Sequence, residues 1–277
     1  MDKWKRSSRL TDMTQQLITQ PYRLLPLPVF ASRYHSAKSS ISEDLAIIDE
    51  VLRKEGNGRL ETVAGATGGV RYIPSMSNQL IKQILTVLCK QLANPDRILT
   101  GGFLYLSDLL GDPELLRQLG KIFATLFGGR EIDSILTVET KGIPLAYATA
   151  AYLNVPVVIA RYDYRVTEGS VVTVNTTGSN HRIRPLSLSK RSLAEGSRVL
   201  VIDDFMKGGG TIYGMMELLV EFHAELVGVG VMVESPTVER RIDSYVSLAA
   251  IREIDMEQRE IIVEIGNLEV GEKNEES

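Results

Sequence analysis

The sequence predicts an α/β body, a parallel sheet with helices on both faces, standing behind a small N-terminal head of three helices and a hairpin. Continuous apolar strands alternate with amphipathic helices from about residue 135 onward, the pattern of a sheet buried on both sides. The first 74 residues follow another rhythm: short helical periods, then two strands joined by glycines. The 277 residues, 44% hydrophobic, 24% charged and 6% aromatic, suffice for two ordinary domains with a core in each. That composition excludes a disulfide-stapled miniprotein and a disordered or fibrous chain. The expected division is 1–74 and 75–277.

In the head, Leu10, Met13, Leu17 and Ile18 share one helical face that ends before Pro21. A short helix, about Val29 to Tyr34, follows Pro26 and Pro28, and a third carries Ile41, Leu45, Ile48 and Leu52 inward. Ser40 and Glu43 match the capping box, which predicts the start of that third helix. Leu60 to Ala64 and Val70 to Ile73 read as strands joined by Gly65-Ala66-Thr67-Gly68-Gly69. This is the order of a winged helix, which places one helix in the major groove of DNA and its hairpin against the backbone or minor groove. Ser36, Ser39, Ser40 and Ser42 are small enough to approach phosphates or base edges, and Lys38 supplies charge. Lys5, Arg6 and Arg9 are the basic candidates ahead of it, and Gly65, Thr67 and Gly68 let the wing tip approach closely. A protein-docking or dimerisation module would show the same pattern.

Charge bears on the nucleic-acid reading, although a run of charge is by itself most often a solvated face. The whole chain is at −4, which argues against nucleic acid if spread evenly. Residues 1–74, however, hold 11 Lys and Arg against 8 Asp and Glu, and the remainder holds 20 against 27. A basic head thus precedes an acidic body, whose stretch from Glu253 to Ser277 has nine acids and two bases. That tail is read either as partly disordered or as an edge strand at Ile261 to Ile265.

In the body, Ile135 to Val138, a helix from Ile143 to Leu153, and Val155 to Ala160 form one strand-helix-strand unit. Val199 to Ile202, a helix from Thr211 to Phe222, and Val227 to Val233 form another, with Ile212, Met215, Met216, Leu219 and Phe222 inward. Parallel sheets bind ligands at the carboxyl ends of their strands, so the following segments carry the information. After Ile202 stand Asp203-Asp204-Phe205-Met206-Lys207-Gly208-Gly209-Gly210-Thr211. Adjacent carboxylates accept from vicinal hydroxyls, while glycines at a helix start offer backbone N–H groups to a phosphate. Diol and phosphate recognition within nine residues points to a ribose 5-phosphate group.

This segment resembles the phosphoribosyl diphosphate (PRPP) signature of type I phosphoribosyltransferases, and Thr137-Val138-Glu139-Thr140-Lys141-Gly142 resembles their diphosphate loop. Ala160-Arg161-Tyr162 is similar to the Arg-Lys pair of purine-type members, with Tyr162 where Lys is usual. The domain order, with Ala37 to Asp44, Thr140 to Ala146, Val166 to Ser170 and Leu188 to Arg191, resembles the bacterial purine operon repressors over nearly the whole chain; Glu139, where Ala is more familiar, departs from them.

The resemblance implies a type I phosphoribosyltransferase-like fold and a homodimer on DNA upstream of purine genes. PRPP lowers its DNA affinity, guanosine tetraphosphate-type nucleotides compete for the pocket, and no transfer is catalysed. Asp203 and Asp204 would hold the ribose hydroxyls, Lys207, Gly208, Gly209, Gly210 and Thr211 the 5-phosphate, and Thr140, Lys141 and Gly142 the diphosphate. Arg161 and Met206 belong to the same pocket, and Phe205 and Tyr105 are candidates to contact a nucleobase. An active phosphoribosyltransferase, with residues 162–184 as its water-excluding loop, and a PRPP-responsive activator are the alternatives. His35, His181 and His223 lie apart with no metal-ligand spacing; no catalytic cofactor is expected, and Mg2+ would accompany PRPP. Cys89 is the single cysteine, and the uncharged run Gly142 to Ala160 is interrupted by Pro144, Asn154 and Pro156. A cytoplasmic protein is therefore expected.

Overall fold

A computed structural model describes residues 4–268 of the chain except 66–67, 102, 164–165, 178–182 and 237–239. The head comprises α1 (Arg6–Ile18), α2 (Leu27–Tyr34), α3 (Lys38–Lys54), β1 (Gly58–Val63) and β2 (Gly69–Pro74). The strands form an antiparallel pair, and Leu25 bridges Val70 beside them. The inward residues expected of the third helix, Ile41, Leu45, Ile48 and Leu52, are all buried. They pack with Met13, Leu17, Phe30, Tyr34 and Tyr72 into a core separate from that of the body. Ile18, assigned inward by its spacing, is 44% exposed at the last turn of α1. The capping box does not form. The chain leaves α2 through His35 in the left-handed region, Ala37 caps α3 without a side-chain bond, and Ser40 and Glu43 therefore lie inside the helix.

The body follows as α4 (Asn78–Leu92), β3 (Ile98–Leu99), β4 (Phe103–Leu104), α5 (Pro113–Phe127), β5 (Ser134–Val138), α6 (Gly142–Leu153) and β6 (Val157–Ala160). Then come β7 (Val171–Thr177), β8 (Ile183–Ser189), β9 (Arg198–Met206), α7 (Gly210–Glu221), β10 (Glu225–Glu234), β11 (Val246–Asp255) and β12 (Glu260–Ile265). Six strands form one sheet in the order β12-β11-β10-β9-β5-β6. All neighbours are parallel except β11 and β12, so Glu260–Ile265 forms the antiparallel edge strand read at Ile261 to Ile265, while the tail from residue 269 onward lies outside the described residues. One face is covered by α4, α5 and α6, and the other by α7 and the β7-β8 hairpin. Residues 171–177 and 183–184, within the stretch that the enzyme alternative read as a water-excluding loop, belong to this hairpin, whose Thr176, Leu186 and Leu188 are buried against α7 and the sheet.

The head rests on α5. The Lys121 ammonium, 8% exposed, donates to Asn57 Oδ1 at 2.9 Å, and the Tyr22 hydroxyl donates to the Gly128 carbonyl. No helix among the described residues is long and apolar enough to cross a membrane.

Candidate functional site

Strand order locates the site. From β5 the chain adds β6 on one side, then returns to place β9 on the other. The crevice between the carboxyl ends of β5 and β9 is thus a topological switch point, where open α/β sheets bind ligands. Pairing between them stops at Leu136 and Val201, although β9 runs on to Met206 along β10. Asp203 to Met206, expected beyond the strand, are therefore its last residues, with their β5 side released. The start of α6 fills this opening: a Cβ on Gly142 would stand 2.9 Å from Asp203 Oδ1 and collide with Thr137 Oγ1. Only glycine permits that approach, and it brings the two expected loops together. Thr137 Oγ1 is a buried hydroxyl with no partner among the described residues.

Asp203 and Asp204 are 3% and 9% exposed. The Asp204 N–H donates to Asp203 Oδ1 at 2.9 Å, a bond that fixes the first carboxylate. Burial, followed by the neighbouring Asp204 charge, holds Asp203 well above the usual carboxylate range. Asp204 is also raised by burial, partly offset by its bond with Asp203 and by the Lys141 charge. Such a pair retains a proton or gathers hydroxyl donors. Because its folded pKa is raised, Asp203 favours the fold below about pH 4 and progressively loses that contribution as pH rises through the folded value. Asp203→Asn is thus expected to raise the melting temperature of the ligand-free protein at neutral pH, with a gap that closes toward about pH 4. Thermal denaturation of both proteins across that range measures it.

Beyond β9, Lys207 is exposed and Gly209 caps α7 at φ 76°, a left-handed conformation that glycine adopts without strain. The first N–H groups of a helix lack intrahelical partners, so Gly210 and Thr211 offer donors at the crevice. Two features sequence reasoning missed support this turn. The segment after β10 packs under it, with Arg241 N donating to the Gly208 carbonyl at 3.1 Å and Ile242 lying against Gly209. That segment is pinned by buried Glu234, which accepts from Arg240 at 2.7 Å and from the Tyr245 hydroxyl at 2.6 Å. Its signal was its position after the next parallel strand. Tyr162, which stands where Lys is usual in the purine-type pair, shares a 3.0 Å hydrogen bond with the Thr211 hydroxyl, and the Arg184 guanidinium lies 4.2 Å from its ring centroid.

Thr140 and Lys141 are exposed beside Gly142 at the start of α6. Arg161, at the end of β6, pairs with Glu139 and, at 3.3 Å, with Glu168. Among the other candidates, Met206 is 2% exposed, so its side chain belongs to the core and only its backbone is left to face a ligand. Phe205 is packed against the core at partial exposure. Tyr105 is exposed after β4, its backbone bonded to Arg97, and no hydrogen bond or ring contact among the described residues joins it to the strand-end loops. No group of three potential metal ligands occurs among the described residues.

In the head, Lys5, Lys38, Ser39, Ser42 and Gly65 are exposed, while Ser36, Ser40 and Gly68 are half-buried. The Ser42 hydroxyl bonds back to the Lys38 carbonyl and that of Ser36 to Tyr34. Thr67 lies outside the described residues. Arg9 is a correction: it is 8% exposed, with its guanidinium spent on Asp44 at 2.7 Å, because the helix face that makes the core also carries it inward. Arg6 touches the same carboxylate at 2.8 Å but stays half-exposed.

Comparison with known proteins agrees with this arrangement. A family model described as "Bacterial purine repressor, N-terminal" matches residues 5–74, and one described as "Phosphoribosyl transferase domain" matches 106–263. The chain is 54% identical to the purine biosynthesis transcriptional repressor PurR of Bacillus subtilis over 267 residues, 96% of this chain and 94% of that one. It is 44% identical to the purine biosynthesis transcriptional activator PurR of Lactococcus lactis over 95% of this chain and 98% of the relative. A xanthine phosphoribosyltransferase of Alkaliphilus metalliredigens is 36% identical over 54% of this chain and 77% of its own length. With its purine repressor N-terminal region and phosphoribosyltransferase-type domain in one chain, the protein belongs to the bacterial purine repressor family of transcriptional regulators.

Proposed function

We propose that this protein represses purine biosynthesis genes from DNA upstream of them, and that PRPP bound in the body lowers its DNA affinity. The observation that supports this most is the meeting of the acid pair, the glycine turn and the Thr140-Lys141-Gly142 loop in one crevice, on a chain whose head keeps Lys5, Lys38, Ser39 and Ser42 exposed. In this reading the division falls at 74/75, and Asp203 and Asp204 accept from the ribose hydroxyls. Lys207 to Thr211 hold the 5-phosphate, Thr140 to Gly142 the diphosphate, and Mg2+ enters with the ligand. Guanosine tetraphosphate-type nucleotides compete for the same anion donors. The protein acts as a homodimer in the cytoplasm, as a sensor without transfer activity. A polyanion that binds the DNA-free form better than the DNA-bound form shifts the equilibrium by that difference in affinity.

Gel shifts on purine-gene upstream DNA are expected to weaken as PRPP is added; an unchanged shift overturns the sensor reading. The Lactococcus relative named an activator favours a second sign of regulation, which a transcription assay separates. Incubation with PRPP and each purine base tests the enzyme alternative, for which turnover is the deciding result.

A further inference from the structure

We propose that Glu139 is a built-in competitor of the anionic ligand: it shares the Arg161 guanidinium with that ligand and so sets the concentration at which the pocket fills. The inference rests on the reading of the crevice as a PRPP site. Glu139 is the first residue after β5 and directly precedes Thr140; its N–H donates to the Ala160 carbonyl at 3.0 Å, so its backbone is anchored beside the end of β6. From there its carboxylate bonds Arg161 Nη1, with the two side chains 18% and 24% exposed. The Nε side of Arg161 is engaged by Glu168, and Asp163 lines the same small cavity of about 10 Å³. Two carboxylates thus share one guanidinium, and one of them is a single residue from the loop assigned to the diphosphate.

An anion arriving at Thr140-Lys141-Gly142 meets this arrangement in one of two ways. Either it takes Arg161 and leaves Glu139 half-buried without its partner, or it leaves the pair intact and faces the Glu139 charge across a partly desolvated site. Both oppose binding, because like charges a few ångströms apart near a protein surface repel appreciably. Arg161 does not depend on Glu139 for its place. Its backbone makes two bonds with Ser187, at 2.9 and 2.8 Å, and Glu168 remains as a partner.

The test is calorimetric titration of the full-length protein, Glu139→Gln, Glu139→Ala and the distant exposed Glu257→Gln with PRPP and with ribose 5-phosphate, at low and at high salt. Glu139→Gln is expected to bind PRPP about tenfold more tightly, and ribose 5-phosphate, which lacks the diphosphate, less than about threefold more tightly. The gain is expected to shrink at about 1 M salt, where screening is short-ranged, whereas a merely steric effect would not respond. Glu257→Gln is expected to match the wild type. Should Glu139→Gln not fold, Glu139→Ala carries the same expectation. Equal or weaker PRPP binding by the Glu139 variants overturns the proposal and leaves the PRPP site standing. Absence of PRPP binding by the wild-type protein overturns that reading, and the proposal with it.

Discussion

Asp204→Ala is expected to leave DNA binding intact and to abolish the response to PRPP. Asp204 stands at the end of β9, and the head closes its own core around Met13, Phe30, Tyr34 and Ile41, so the two share no packing. Removing a buried acid whose pKa is raised by burial also removes a cost of folding rather than a support. Hydrogen bonds from ligand hydroxyls to a carboxylate contribute about 1.5 to 3 kcal/mol each. Loss of two weakens PRPP on the order of 100-fold or more. Calorimetry with PRPP and gel shifts with and without it measure the two halves separately. Loss of DNA binding as well would show that Asp204 holds the fold. An unchanged PRPP response would show that the acid pair does not hold the ligand.

Asp44→Ala is expected to do the reverse, disabling the head while the body still binds PRPP. Asp44 is fully buried, accepting from Arg9 Nε at 2.9 Å and Arg6 Nε at 2.8 Å, and so ties α1 to α3. The variant leaves Arg9 buried without its carboxylate, a change that costs about 3 to 5 kcal/mol. A head of about 70 residues has a total stability of only about 5 to 10 kcal/mol. The single tryptophan reports on this region, since Trp4 packs edge-on against Tyr34 at 5.3 Å. Its fluorescence is expected to shift at lower urea concentration in the variant, with DNA affinity lost and PRPP affinity retained. Coincident loss of PRPP binding would show that head and body unfold as one unit, through the Lys121–Asn57 and Tyr22–Gly128 contacts on α5.

Local periodicity carried most of the fold. In α3 the spacing of Ile41, Leu45, Ile48 and Leu52 named the buried face correctly, because an amphipathic helix has only one stripe to bury. It failed where a local rule met a neighbouring constraint. The Ser40 and Glu43 pattern lost to the left-handed exit of α2 at His35, which started the helix at Lys38. Ile18 kept helical spacing but lies at the last turn of α1, where less of the helix is covered. The stretch 162–184 entered only as the water-excluding loop of the enzyme alternative, although Val172, Val174 and Thr176 alternate with exposed Thr173 and Asn175 in β7.

The site divides in the same way. Asp203 to Thr211 and Thr140 to Gly142 were legible as strand-turn-helix segments because each is contiguous in sequence, and backbone geometry there follows from residue type. What the sequence by itself determined is therefore the fold class, the basic head on an acidic body and the two turns that follow β5 and β9. Only the tertiary structure decided how these meet and which charges remain free: Gly142 set against Asp203, Tyr162 bonded to Thr211, Arg161 divided between Glu139 and Glu168, and Arg9 consumed by Asp44. Each of these pairs joins different elements, except Arg161 and Glu168, which stand in one connecting segment. The physical reason is that an ion pair or close approach across strands depends on register and burial, and neither is encoded in the spacing along a single element.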